Sequence, residues 1–344
     1  MMAVVARDTA EISARLGPWL AIRHGAAARI TDVQIPKLGA SSETYLVDAR
    51  IDGAERRLVL RVQASGNQVY QDCSVERQYR TMEALGRCGA VPVPALAGFE
   101  PDPGILGQPF YLMERIAGSS LPNDYHVSGF LQDMPVAARR ETWLNAVAAM
   151  ARLHASPVGE FAFLGFADQA GDAIAQQVAR WDSYRAWIGL GASPLIDRTR
   201  DWLEAHRPPP QPLALAWGDA RIDNLMFAGT EVAAVLDFET ASLEGPEGDL
   251  GWWKFFDRLS TEVAGLPWLD GLGRPDELIE TWEQFAGRKA MAMDWHVLNN
   301  AWRFALVMGR ARALANGTPN DQGCWNTSIN PAAALLEKML AEVS

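Results

Sequence analysis

The sequence predicts an α+β fold in two lobes: a small N-terminal lobe of antiparallel strands with one main helix, then a larger, mostly helical C-terminal lobe. Three observations predict it. Up to about residue 118, strand-like runs surround one amphipathic helix. Beyond that point apolar residues recur at helical spacing over several long segments. Within the helical part, two apolar runs end in polar residues. The first is Leu213-Ala-Leu-Ala-Trp217-Gly218-Asp219-Ala-Arg221-Ile-Asp223-Asn224-Leu-Met-Phe227, and the second is Val232-Ala-Ala-Val-Leu236-Asp237-Phe238-Glu239. They read as two short strands that deliver Asp219, Asn224 and Asp237 to one place.

The first lobe is justified element by element. Residues 8–24 carry Ile12, Leu16, Trp19 and Leu20 at helical spacing, with Asp8 or Thr9 as cap and Gly17-Pro18 as an expected interruption. Leu38-Gly39-Ala40-Ser41-Ser42-Glu43-Thr44-Tyr45 is a turn of small residues between strand-like runs. Such a loop lets backbone N–H groups approach a phosphate, and it equally suits a plain hairpin. In Arg57-Leu58-Val59-Leu60-Arg61-Val62 one basic side chain stands inside an apolar strand. Val75, Tyr79, Met82 and Leu85 share a helical face, with Gly86 and Gly89 as expected terminators. Val91-Pro92-Val93-Pro94 is an extended connector, and Phe110–Gly118 is a strand running into a hinge.

The second lobe is read from helical stripes. Trp143, Val147, Met150 and Leu153 form a core stripe between Pro135 and Ala155, and His154 at its end reads as a structural hydrogen-bonder. Two helical patterns fill residues 172–206, then Pro208-Pro209-Pro210 breaks the chain before the polar motif. After the motif, Gly245-Pro246 opens a helix with Asp249 as expected N-cap. Residues 275–288, 294–316 and 331–343 are amphipathic helices, the last entered through Asn330-Pro331. Trp252, Trp253, Trp268, Trp282, Trp295, Trp302 and Trp325 serve as core or line an apolar pocket.

Composition narrows the function. The net charge of −11 argues against nucleic acid as partner, because phosphate backbones need clustered Lys and Arg. Charged residues are 21% of the chain, as in ordinary globular domains. No apolar run approaches the roughly 18 residues that span a bilayer, so no membrane partner is expected. Cys73, Cys88 and Cys324 are widely spaced and show no metal-ligand pattern, which suggests a reducing, cytoplasmic setting.

The Asp219-x-x-x-x-Asn224 spacing is that of a kinase catalytic loop, and Asp237 follows the next strand where kinases carry a magnesium-ligating Asp. The stretch from Trp217 to Trp253 resembles the aminoglycoside phosphotransferase and choline kinase superfamily. It is most similar to the branch attached to some acyl-CoA dehydrogenases, which shows His-Gly-Asp-x-Arg-x-Asp-Asn and Leu-Asp-Trp-Glu. Leu-Gly-Ala-Ser-Ser-Glu-Thr-Tyr, Leu-Val-Leu-Arg, Val-Pro-Val-Pro, Tyr-Leu-Met-Glu-Arg-Ile-Ala-Gly and Ala-Arg-Leu-His-Ala extend the resemblance from about Ile35 to about Gly317.

The resemblance implies a protein-kinase-like two-lobe fold, with residues 1–118 as nucleotide-binding small lobe (hinge about 113–118) and 119–344 as helical lobe. It implies Asp219 as catalytic base, with Arg221 nearby for phosphate, substrate or a structural ion pair. Asn224 and Asp237 become the Mg²⁺ ligands. Ser41, Ser42 and Arg61 face the phosphates, and the backbone at Glu114 and Ile116 forms the adenine hinge. The expected cofactors are ATP or GTP with Mg²⁺. The acceptor is a hydroxylated small molecule, and neither its identity nor the oligomeric state is legible.

Two departures qualify the expectation. Trp217 stands where the branch has His, so the bracing of the loop must differ. Gln78 stands where a Glu usually pairs with the phosphate-binding cation. Glu76 cannot replace it, because two residues along a helix is a turn of roughly 200°. The alternative reading is therefore a catalytically impaired kinase-like protein that binds a nucleotide or ligand as sensor or scaffold.

Overall fold

The structure, a computed structural model, describes residues 7–36, 43–66, 68–71, 74–166, 171–317 and 322–344. The chain forms two compact units: Met1–Glu83 with Pro94–Ile116, and Ala84–Val93 with Ala117–Ser344.

The first unit begins with α1 (Thr9–His24), whose Asp8 cap accepts the Ala10 N–H at 2.9 Å. The expected break at Gly17-Pro18 does not occur, and the helix runs through Pro18. Pro18 is exposed, while Ile12, Leu16, Trp19 and Leu20 are buried. Each such burial contributes about 1.5–3 kcal/mol, enough together to offset the roughly 3 kcal/mol cost of an interior proline.

α1 packs on an antiparallel sheet of order β1-β2-β3-β5-β4: β1 (Arg29–Gln34), β2 (Glu43–Ile51), β3 (Ala54–Val62), β4 (Leu96–Glu100) and β5 (Phe110–Glu114). Alternation along β2 turns Tyr45, Val47, Ala49 and Ile51 into the core. There they meet Leu58, Leu60, Val62, Phe110 and Leu112. The main helix α2 (Val75–Cys88), whose residues from Ala84 are counted with the second unit, continues past Gly86. Gly89, at φ 63°, ends it instead, its N–H donating to Leu85 O at 2.9 Å. The short α3 (Pro103–Leu106) precedes β5.

The second unit is mostly helical. It contains β6 (Ser119–Ser120), α4 (Val136–His154), α5 (Ala173–Ile188), α6 (Pro194–Ala205), β7 (Leu225–Ala228), β8 (Glu231–Val235), α7 (Pro246–Arg258), α8 (Pro275–Ala286), α9 (Met293–Asn316) and α10 (Pro331–Val343). β6, β7 and β8 form a small antiparallel sheet. The run Leu213–Ala216, expected as a strand, is not one; only Ala216 bridges to Ser242. The strands lie one step later, so the loop from Trp217 to Asn224 enters β7 rather than leaving a strand.

α7 and α9 pack closely because Gly251 has no side chain: a Cβ there would stand 2.7 Å from Asn300 Nδ2 and 2.9 Å from the His296 carbonyl carbon. Asn300 Nδ2 donates to Gly248 O at 2.8 Å, so the contact also satisfies a buried amide. Trp143, Trp253, Trp282, Trp295 and Trp302 are buried, which settles most of the tryptophans as core. Among the described residues no helix is long and apolar enough to cross a membrane.

Candidate active site

The loop Trp217–Asn224 is held at its backbone, its side chains and its following strand. Gly218 sits at φ 92°, and a Cβ on it would come within 2.4 Å of Thr240 O. Only glycine fits a left-handed residue pressed this closely against another backbone. A short 3₁₀ turn, Ile222–Asn224, then folds Asn224 back on Asp219. Asn224 Nδ2 donates to Asp219 Oδ2 at 2.8 Å and to Asp219 O at 2.9 Å. The amide nitrogen is thereby committed to Asp219, which leaves Oδ1 as the acceptor of that side chain. Trp252 Nε1 donates to the other carboxylate oxygen, Asp219 Oδ1, at 2.7 Å.

Leu236 ties the second acid to the first. Its N–H donates to Asn224 O at 3.1 Å, and its carbonyl accepts the Trp217 indole N–H at 2.6 Å. Asp237 follows at φ 60°, one of three non-glycine residues with positive φ among those described. Such a backbone costs on the order of 1 kcal/mol or more and persists only where its surroundings impose it. Here the clamped Leu236 imposes it.

Asp249 does not cap its own helix as expected. α7 starts at Pro246 with Gly245 as its cap. Asp249 is 1% exposed and accepts Trp217 N at 2.6 Å, Gly218 N at 2.8 Å and His154 Nε2 at 2.9 Å. His154 Nδ1 accepts the Trp282 indole N–H at 3.0 Å, which assigns the ring proton to Nε2. A chain from α8 through α4 and α7 thus terminates on the amides flanking the loop. His154 is structural, as its position implied.

Charge gathers below Asp219. Arg221 Nε lies 3.2 Å from Asp219 Oδ1, and its Nη2 lies 3.2 Å from Asp223 Oδ2. The guanidinium stacks on Phe256 at 4.6 Å. Burial opposes the Arg221 cation, and the flanking carboxylates more than offset it, holding it above its ordinary range. Burial pushes the Asp223 carboxyl up to about 6, with Arg221 opposing and Asp219 adding. Burial pushes Asp257 up to about 8, against the Tyr125 O–H that donates to it at 3.0 Å.

In the first unit, Arg61 on β3 stands between Thr44 and Tyr111 in register. Its Nη1 donates to Thr44 Oγ1 at 3.2 Å, and its Nη2 reaches Gln78 Oε1 at 3.5 Å. Tyr111 O–H donates to the same oxygen at 3.1 Å. Glu76 is exposed and faces Arg80 at 3.8 Å, as helical geometry requires. Glu114 N–H donates to Ala95 O at 2.8 Å, and its side chain pairs with Arg56. Among the described residues the Ile116 N–H has no backbone acceptor. Ser41 and Ser42 lie outside the described residues.

The structure brings Asp219, Arg221 and Asn224 into direct contact and fastens Asp237 to them through Leu236. Sequence reasoning missed Asp249 and Trp252 as partners of the loop. Their spacing, three residues apart on α7, places them on one face, but it does not name the loop as their partner.

Antiparallel small unit, helical large unit and an Asp–Asn–Asp loop define a kinase-like fold of the aminoglycoside phosphotransferase type. The chain belongs to the phosphotransferase enzyme family, whose sequence profile matches residues 32–289. Mouse acyl-CoA dehydrogenase family member 10 is 34% identical over 217 residues, covering 62% of this chain and 19% of that protein. Human acyl-CoA dehydrogenase family member 11 is 25% identical over 289 residues, covering 80% of this chain and 36% of that protein. The chain therefore spans only a minor part of these relatives.

Among solved structures, a Ralstonia eutropha JMP134 protein provisionally described as an aminoglycoside phosphotransferase has a TM-score of 0.71 at 23% identity, over 96% of this chain and 98% of that one. The macrolide 2'-phosphotransferase MphH of Brachybacterium faecium has a TM-score of 0.57 at 18% identity, over 93% and 97%. The aminoglycoside phosphotransferase APH(4)-Ia, in ternary complex with ADP and hygromycin B, has a TM-score of 0.56 at 16% identity, over 95% and 97%. At these identities the likeness is one of fold.

Proposed function

We propose that the chain is an ATP-dependent small-molecule kinase that transfers the γ-phosphate to a substrate hydroxyl. The observation that carries this reading is the Asp219–Asn224 pair. A carboxylate held by an amide at 2.8 Å, one strand pair from a second carboxylate on a strained backbone, suits phosphoryl transfer. That chemistry asks for positioning and charge neutralisation more than for covalent participation.

In this reading Asp219 accepts a hydrogen bond from the acceptor hydroxyl and takes its proton as the oxygen attacks in line. Asn224, through its carbonyl oxygen, and Asp237, through its carboxylate, hold Mg²⁺. The donor set fits that ion: hard oxygens only, and few of them, as magnesium sites with phosphate and water ligands use. When bound, Mg²⁺ neutralises charge on the phosphate oxygens. Arg221 pairs with Asp219 at 3.2 Å and helps to hold it in place. In the first unit, Arg61 is a phosphate-binding side chain, and the backbone at Glu114 and Ile116 reads adenine. Retained fold, acids and loop bracing support an active enzyme acting on a hydroxylated small molecule, as the named aminoglycoside and macrolide phosphotransferases do.

One observation favours a second reading. The helix position expected to carry an acid opposite Arg61 holds the neutral Gln78, whose Oε1 lies 3.5 Å from Arg61 Nη2, and that substitution suits a nucleotide-binding protein impaired in transfer. Mutating the base separates the two. Asp219→Ala should abolish ADP release from MgATP while leaving MgATP binding within a few-fold of wild type. Equal ADP release by the two proteins sinks the kinase reading. Once the wild type is shown to be active, screening hydroxylated metabolites and antibiotics for acceptor-dependent ADP release identifies the substrate.

A further inference from the structure

We infer that Trp252 is a positioning residue for phosphoryl transfer. Its indole N–H pins one oxygen of Asp219 and so presents the other to the acceptor hydroxyl. This deepens the kinase reading and rests on it.

Lone-pair accounting carries the inference. An ionised carboxylate offers about four acceptor positions. Asp219 Oδ1 takes the Trp252 N–H at 2.7 Å, and Arg221 Nε lies 3.2 Å from it as an ion pair without hydrogen-bond geometry. Asp219 Oδ2 takes one Asn224 N–H at 2.8 Å. Each oxygen thus carries one hydrogen bond, and with the Arg221 guanidinium lying against Oδ1 the acceptor hydroxyl is assigned to Oδ2; the Asp219 side chain is 22% exposed, enough for a hydroxyl to reach it.

Rotation is the second half of the case. The terminal torsion of Asp is broad and soft. Asn224 alone grips one oxygen and leaves the carboxylate free to swing about that contact. Trp252 adds a second anchor on the other oxygen. Trp252 itself cannot swing: it is 4% exposed and packs on Phe256 at 5.1 Å and edge-on to Phe304 at 5.7 Å. The Arg303 guanidinium lies 5.6 Å from its ring, fixed in turn by Glu244 at 3.1 Å.

Position on α7 completes the argument. Asp249 and Trp252 are three residues apart and project from one face. Asp249 grips the amides of Trp217 and Gly218, immediately before Asp219. Trp252 grips the Asp219 side chain. One helical turn thus fixes the base at its backbone and at its carboxylate, the double constraint that a near-attack geometry demands.

The test replaces the N–H without removing the ring. β-(3-Benzothienyl)alanine at position 252 keeps the bicycle and substitutes sulfur for N–H, and Trp252→Phe is the second variant. Single-turnover ADP release from MgATP, with water as acceptor, should fall about tenfold or more in the benzothienyl protein. Its Kd for MgATP should stay within about twofold, because the nucleotide does not touch Trp252 in this scheme. In the indole region of a ¹⁵N–¹H spectrum, the resonance lost in Trp252→Phe should move and exchange faster in Asp219→Ala.

An unchanged rate in the benzothienyl protein, or an indole resonance indifferent to Asp219→Ala, overturns the positioning role alone. A wild type no faster than Asp219→Ala overturns the kinase reading and the role together.

Discussion

The indole of Trp217 donates to the carbonyl of Leu236 at 2.6 Å, so the residue before Gly218-Asp219 holds the residue before Asp237. The tryptophan that departs from the family's histidine is thus a brace of another kind. It reaches the partly buried Leu236 carbonyl from a side chain that is itself 1% exposed, so losing the donor removes one hydrogen bond and leaves a gap in the core.

Trp217→Phe should therefore destabilise the protein by about 0.5–1.5 kcal/mol for the lost hydrogen bond, plus a cavity term. Thermal unfolding should show the loss, and MgATP-dependent turnover should fall further than stability alone explains. Trp217→His should recover part of both. A Phe variant of unchanged Tm would show that Leu236 finds another donor.

Gly218→Ala should be among the most damaging single changes. The new Cβ would meet Thr240 O at 2.4 Å, at a φ that alanine avoids. Overpacking and strain of this sort cost about 1–3 kcal/mol each. Reduced soluble yield and a Tm several degrees lower are expected, and a fully stable alanine variant would mean that the loop has slack.

Asp237 should control metal-dependent binding rather than folding. Calorimetry of ATP with Mg²⁺ should give a Kd at least about tenfold weaker for Asp237→Ala, equivalent to about 1.4 kcal/mol. In EDTA the wild type and the variant should converge. Asp237→Ala keeps a Cβ at φ 60° and should lose a little stability, on the order of 1 kcal/mol or less; Asp237→Gly removes that strain and is the control that separates backbone strain from metal binding.

Asp257 should make stability depend on pH. Its folded pKa, raised by burial to about 8, exceeds the unfolded value near 3.9. The folded state therefore binds more protons than the unfolded one across this interval, and stability falls as pH rises from about 4 to about 8. Asp257→Asn keeps an acceptor for Tyr125 and removes the ionisation. Its Tm should match the wild type near pH 4 and exceed it at pH 8. Parallel Tm curves would place the ionisation elsewhere.

Fold and loop were legible to different depths. The helices beyond residue 172 followed from apolar spacing, since each buries a stripe against its neighbours. The break expected at Pro18 was misplaced because burial on the opposite face decides, and local sequence does not report burial. Asp219, Asn224 and Asp237 were legible because their separation along the chain is set by one turn and one hairpin. Asp249 and Trp252 were not, because their partners lie some thirty residues upstream, and only the packing of α7 under the loop brings them there. Gln78 was readable as the residue opposite Arg61, but the sharing of its oxygen with Tyr111 was not.

The second unit is assembled from two separate stretches, Ala84–Val93 and Ala117–Ser344. The earlier stretch is not ornamental: Pro92 O accepts the Val235 N–H at 2.9 Å, at the end of the strand that leads to Asp237. No single cleavage of the polypeptide can release the second unit intact. A fragment beginning at residue 117 would lack the peptide that finishes β8, and adding residues 84–93 in trans is the natural way to restore it. During synthesis, likewise, that short stretch leaves the ribosome long before its partner strand and must wait for it, so the segment bearing the second acid is completed late.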